Sequence, residues 1–253
     1  MYRRYILSKL YVVGIGPGNY ENMTIRADEA LKDSDVIIGY TVYIDLVRDR
    51  YPEKEFMTTP MTKEAARCQM ALDCAKSGKT TAMICSGDSG IYGMAALCYE
   101  LRGEDTDPEI DVIPGLTAAA SGASILGAPL THDFAVISLS DRLTKWEKIE
   151  ERLRNASKAD LSIVMYNPVS KGRPDHLKKA CDIMLENLPA DRICGIARNI
   201  GREGESIRIM TLGELRDAEC DMFCTVFIGN EMTKIIGDRM VTPRGYREVS
   251  DKL

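Results

Sequence analysis

The run Leu10-Tyr11-Val12-Val13-Gly14-Ile15-Gly16-Pro17-Gly18 decides the fold. An apolar stretch that ends in closely spaced glycines is the pattern of a buried strand feeding a tight turn. Reading outward, a helix is expected at 24–32, with Ile25, Ala27, Ala30 and Leu31 on one side, and a second strand at 35–39. A helix at 62–77 spaces Ala65, Cys68, Leu72 and Ala75 helically, and Gly78 stands where a C-terminal cap belongs. Next come a strand at 80–85 ending in Ser86-Gly87-Asp88, a helix at 92–102 and a strand at 110–113 ending in Pro114-Gly115.

Strands alternating with helices predict an α/β protein with a parallel sheet. Such sheets bind ligands beyond the carboxyl ends of their strands. The turns at 14–18, 86–93 and 114–118 are therefore expected to converge on one site. The second half differs. Residues 118–127 are small and predict a helix packed closely on a neighbour, at a domain junction. Strands are expected at 134–139, 161–166, 193–197, 206–210 and 222–228, the last three on short links, which predicts a mixed sheet. One intervening helix opens with Thr144-x-x-Glu147, a capping-box pattern, and presents Trp146, Ile149 and Leu153. Another carries Leu177, Cys181, Met184, Leu185 and Leu188. The expected domains are 1–117 and 118–253.

Composition narrows the function. Hydrophobic residues are 45% and charged residues 28%, and the net charge is −5. A broad basic surface for nucleic acid is excluded, although local Arg and Lys can still line an anion pocket. No apolar run approaches the ~20 residues of a membrane span, and the basic start at 1–8 lacks an apolar core, so neither a membrane nor a secretion signal is expected. The expected compartment is the cytoplasm. Eight cysteines with no C-x-x-C pair read as buried free thiols, and no metal site is expected.

The glycine loop is not a dinucleotide fingerprint. That motif is G-x-G-x-x-G; here the third glycine comes too early, and Pro17 removes a backbone donor where a phosphate wants one. No acidic residue closes the second strand at Ile38-Gly39-Tyr40 either, which argues against a nicotinamide oxidoreductase. A Gly-Pro-Gly turn instead offers a rigid wall without side chains, or is a plain structural turn. In 86–93, three glycines and Asp88 make a loop that can approach a ligand closely, with the carboxylate serving a ribose, a sulfonium or a helix cap. Thr117, before an alanine run, is a cap or a ligand contact.

These three loops, in this order, resemble the tetrapyrrole methylase family, the class III methyltransferases. The match runs over nearly the whole chain, with Ser89 where many members have Pro. The resemblance implies an α/β fold of two domains with the active site in the cleft between them, S-adenosylmethionine as cofactor, and a homodimer. The stretches Ala128–Asp141, Tyr166–Arg173 and Arg198–Glu205 resemble the branch that methylates C-17 of precorrin-3B or its cobalt form, with ring contraction, in corrin synthesis. Implied cofactor contacts are Pro17, Ser86, Gly87, Asp88, Ile91, Thr117 and Ala118, with Tyr166, Asn167 and Ile200 from the second domain. For the polycarboxylate substrate, Arg142, Lys171, Arg173 and Arg202, with Arg198 nearby, sit at strand ends and suit charge-assisted bonds, unless they are merely solvated. His132 is the acid/base candidate for the contraction and Asp141 the next; the alternative for His132 is a loop histidine bonded to backbone. The rival functions are another class III methylase, acting at a different macrocycle carbon or on a modified protein histidine, and a non-catalytic carrier of a tetrapyrrole or adenosyl ligand.

Overall fold

Residues 8–246 are described in the computed structural model; the basic start of the chain lies, apart from Ser8, outside them. The chain divides into two compact units between Ala118 and Ala119.

The first unit is β1 (Lys9–Gly14), α1 (Ile25–Asp33), β2 (Val36–Tyr40), α2 (Thr41–Asp45), β3 (Glu55–Thr59), α3 (Glu64–Lys76), β4 (Thr81–Cys85), α4 (Ala95–Arg102) and β5 (Glu109–Ile113). Its five strands lie in the order β3-β2-β4-β1-β5, and every pairing is parallel. Strand alternation explains why β1 is apolar throughout. Leu10 and Val12 join Cys68, Leu72, Ala75 and Cys98 on one face, while Tyr11, Val13 and Ile15 join Ala27, Leu31, Ile44 and Tyr51 on the other. Thr24 caps α1, accepting from the Ala27 amide at 3.1 Å. Within this unit the helix α2 and the edge strand β3 are not expected from the sequence, and α4 begins three residues later than expected.

The second unit is entered through α5 (Ala118–Leu126). There follow β6 (Gly127–Ala128), β7 (Phe134–Ser138), α6 (Trp146–Lys158), β8 (Ser162–Tyr166), α7 (His176–Met184), β9 (Ile193–Arg198), β10 (Ser206–Thr211), α8 (Leu212–Leu215), β11 (Cys224–Ile228), β12 (Lys234–Ile236) and β13 (Arg239–Val241). Its main sheet, β10-β9-β11-β8-β7, is mixed: β7 and β8 are parallel and the rest antiparallel. In this unit β6, α8, β12 and β13 are not expected from the sequence. The Thr144 capping box does not form; α6 starts at Trp146 behind Lys145, with no side-chain cap. A capping box appears instead at α8, between Thr211 and Glu214. The small-residue helix packs as its composition requires: a β-carbon on Gly122 would come 2.7 Å from Phe227 Cζ and 3.0 Å from Ile200 Cδ1.

All eight thiols are unpaired, and six are buried. Burial pushes the Cys85 thiol up to about 12. Among the described residues no helix is long and apolar enough to cross a membrane, and no cluster of His, Cys, Asp and Glu is arranged to hold a metal.

Gly122→Val is expected to overpack this contact by about 1–3 kcal/mol. Thermal unfolding should show a melting point several degrees lower, and a value equal to the unmodified chain would mean α5 is not seated on Phe227 in solution.

Candidate active site

The three glycine loops meet. Gly16 N donates to Gly87 O at 3.0 Å, Gly87 N to Gly16 O at 2.7 Å, and Ile15 N to Cys85 O at 2.9 Å. The Ile15 bond continues the parallel β1–β4 pairing by one step, and the reciprocal Gly16–Gly87 pair, an isolated antiparallel bridge, then ties the first two loops together past the sheet. The third closes on them so tightly that side chains are excluded. A β-carbon on Gly14 would lie 2.6 Å from Gly115 N, and one on Gly115 would lie 2.2 Å from Gly87 O and 2.5 Å from Gly14 O. The result is a wall of bare backbone at the carboxyl edge of a parallel sheet, where such sheets bind ligands.

Asp88 holds this wall together. Its Oδ1 accepts from the amides of Gly90 and Ile91 at 2.7 and 2.8 Å, and its Oδ2 accepts from Gly115 N at 3.0 Å. The carboxylate therefore folds its own loop and clasps the next, a role beyond the helix-cap alternative. Ser89, buried, donates its hydroxyl to Ile113 O at 2.8 Å and ties the end of β4 to the end of β5. No such role was legible in the sequence. Of the other expected contacts, Pro17 is buried, Ser86, Thr117 and Ala118 are half-buried, and Ile91 is exposed beside Tyr92.

In the second unit, Tyr166 ends β8 and its hydroxyl accepts the Ala119 amide at 2.7 Å in the first turn of α5. Asn167 follows at φ +54°, and its amide donates to Ser138 Oγ at 2.9 Å. Ile200 is buried against α5. The basic residues do not share one environment. Arg142 and Lys171 are exposed without an ion pair among the described residues. Arg202 is half-buried in the 199–202 turn. Arg198 is paired with Asp221 at 2.8 Å. Arg173 is turned inward, its Nε donating to Ser170 Oγ at 3.0 Å and its Nη1 lying 3.7 Å from Asp141.

The two histidines also separate. His132 Nε2 donates to the Pro243 carbonyl at 2.9 Å. A carbonyl only accepts, so Nε2 carries hydrogen in either protonation state and Nδ1 is the basic lone pair when the ring is neutral. His176 is buried, edge-on to Trp146, with Nε2 3.2 Å from Asp141 Oδ2. Burial pulls the Asp141 carboxyl upward, but the bonded His176 and nearby Arg173 outweigh it and hold its pKa below the usual aspartate range. Sequence distance hid this pair.

A parallel sheet whose strand ends build a backbone cradle, followed by a mixed-sheet unit, defines a class. The chain matches the model of the tetrapyrrole (corrin/porphyrin) methylases over residues 9–216, and it belongs to that family. A probable cobalt-factor III C(17)-methyltransferase of Salmonella typhimurium is 44% identical over 238 residues, covering 94% of this chain and 99% of the relative. A cobalt-factor III methyltransferase of Priestia megaterium is 43% identical over 94% of this chain, which spans under half, 45%, of that longer relative. The crystal structure of the methyltransferase CobJ superposes with a TM-score of 0.86 at 33% identity, over 93% of this chain and all of that one.

Asp88→Asn is expected to keep the bonds to Gly90 and Ile91 but to set an amide donor against Gly115 N. The loss should be about 1.5–3 kcal/mol, with a lower melting point and at least tenfold weaker binding of S-adenosylhomocysteine by calorimetry. Weaker binding at an unchanged melting point would mean the carboxylate meets the ligand and does not clasp the loops.

Proposed function

We propose that this chain transfers a methyl group from S-adenosylmethionine to C-17 of cobalt-factor III or precorrin-3B, with ring contraction, in corrin synthesis. The observation that carries the reading is the backbone cradle of Gly14, Gly16, Gly87 and Gly115 at the ligand-binding edge of the sheet, in a chain 43–44% identical to proteins named for that chemistry.

The residues present fit the cofactor. A wall without β-carbons admits a flat adenosyl group, and the carbonyl-rich loops suit a cation. Pro17, Ser86, Gly87, Asp88, Ile91, Thr117 and Ala118 are proposed to hold it, Asp88 chiefly by shaping the loops; Tyr166, Asn167 and Ile200 stay in the proposed set. When bound, S-adenosylmethionine supplies an electrophilic methyl group for in-line displacement by an electron-rich macrocycle carbon. The chain's own work is positioning and exclusion of water, worth ~7–11 kcal/mol. Exposed Arg142 and Lys171 are the proposed grips on substrate carboxylates, and half-buried Arg202 stays in the proposed set. Arg173 is proposed to act more by placing Asp141 than by binding substrate, because it is turned inward, its Nε bonded to Ser170 and its Nη1 3.7 Å from Asp141. His132, anchored through Nε2, is proposed to move protons at Nδ1 during contraction, since displacement at a sulfonium needs no acid. Cytoplasmic location and a homodimer complete the proposal.

Incubation with S-adenosylmethionine and each macrocycle, read by mass and absorbance spectra, is expected to give one methyl transfer and a contracted ring. S-adenosylhomocysteine should raise the melting point and NAD should not; the reverse pattern would replace the reading by an oxidoreductase, and stabilisation without turnover by a binding protein.

His132→Ala is expected to slow contraction ~100–10,000-fold while a methylated, uncontracted product accumulates. Normal turnover with a lower melting point would leave only the bond to Pro243. The paired change Arg142→Ala with Lys171→Ala should raise the Michaelis constant for the macrocycle and leave that for S-adenosylmethionine unchanged; two unchanged constants would make both side chains solvated charges.

A further inference from the structure

At the carboxyl end of β3 the first unit buries a cation without a counter-charge. Arg67, the fourth residue of α3, is only 5% exposed. Its Nε donates to Thr59 Oγ1 at 2.8 Å and its Nη2 to Pro60 O at 3.2 Å, and the guanidinium carbon lies 6.0 Å from the centroid of the Tyr40 ring. All three partners are neutral. Among the described residues no carboxylate pairs with Arg67, and its Nη1 has no acceptor. Arg192 and Arg173, also turned inward, each have a carboxylate near, Asp160 at 3.1 Å and Asp141 at 3.7 Å; Arg102, half-buried, has only the Pro108 carbonyl and the Tyr99 ring, away from the carboxyl edge of the sheet.

Arginine is almost never buried to this degree unpaired, because desolvating a lone charge is costly. Its position adds to the cost, since the first turn of a thirteen-residue helix carries the positive end of the helix dipole. Lys63, exposed and also without an acidic partner among the described residues, stands one turn earlier, its carbonyl accepting from Arg67 N at 2.9 Å. Every one of these features calls for an anion. The location says which kind of visitor supplies it. Thr59 and Tyr40 are the last residues of β3 and β2, on the same edge of the sheet as the glycine cradle at the ends of β1, β4 and β5.

We infer that Arg67, with Thr59, Lys63 and the Tyr40 ring, forms a subsite for a ligand carboxylate, bound through the free side of the guanidinium. The inference rests on the functional reading, under which two ligands bring carboxylates: the macrocycle through its peripheral acid arms and the cofactor through its methionine end. The distance of two strands from the cradle favours the macrocycle.

The test uses the full chain, Arg67→Met and Arg67→Lys. First, melting points are compared in sodium glutarate and in sodium chloride at matched ionic strength. The unmodified chain should melt higher in glutarate, Arg67→Lys should keep part of the rise, and Arg67→Met should lose it. Second, the Michaelis constant for the macrocycle should rise about tenfold or more in Arg67→Met, with S-adenosylhomocysteine affinity unchanged. If S-adenosylhomocysteine binding weakens instead, while its decarboxylated analogue binds both chains equally, the subsite serves the cofactor carboxylate. If glutarate has no effect on the unmodified chain and neither constant moves, Arg67 is only a tether for 59–60 and the inference is overturned. Should Arg67→Met not fold, the glutarate response of the unmodified chain and its reduction in Arg67→Lys decide the matter. Failure of the unmodified chain to methylate any tetrapyrrole would sink the functional reading, while the glutarate comparison would still decide the subsite.

Discussion

The contact on which the most depends is backbone against backbone, at the point where Gly14 and Gly115 close on each other and on the Gly87 carbonyl to distances that no β-carbon at 14 or 115 survives. Three chain segments far apart in sequence are brought there by the parallel register of β1 with β4 and β5. Asp88 then replaces water for three amides that the tight turns would otherwise leave unpaired. The sheet supplies the convergence, the glycines supply the closeness, and one carboxylate supplies the hydrogen bonds. Each is useless without the other two.

The two units contribute unlike chemistry. In the first, the candidate surface is main chain and so is indifferent to side-chain identity except at Asp88, Ser89 and Arg67. In the second, the candidate residues are side chains fixed by other side chains or by carbonyls: Asn167 on Ser138, Tyr166 on α5, His132 on Pro243, Asp141 between His176 and Arg173. A family with one cofactor and many macrocycles has reason to keep the first kind of surface constant and vary the second.

What was legible in the sequence follows from what periodicity can carry. Continuous apolar strands ending in glycine announced β1, β4 and the parallel order, and the small residues of 118–127 announced a close helix contact. The edge strand β3 was not visible, because Glu55-Phe56-Met57-Thr58-Thr59 is largely half-exposed and lacks an apolar run. The same capping pattern occurs at Thr144 and Thr211, and only the second forms. Residue 143 is fully exposed just ahead of α6, so the chain there is led by solvent and not by a local cap. The pairing of Asp141 with His176 spans 35 positions, and Arg67 reads as one more charge on a helix until its burial is known. Local pattern reports propensity; it does not report which charge lacks a partner.

The strand order also sets a schedule. β1 is made early, yet both of its neighbours are later segments, around residues 81–85 and 109–113. During synthesis β1 must wait, unpaired on both edges, until residues 81–85 have emerged, and on its second edge until residues 109–113 have. Long-range parallel pairing of this kind is slow and exposes sticky edges. The interval before β5 emerges is therefore when the nascent chain is most open to mispairing and has most to gain from a chaperone, and the glycine cradle is among the last features of the first unit to exist.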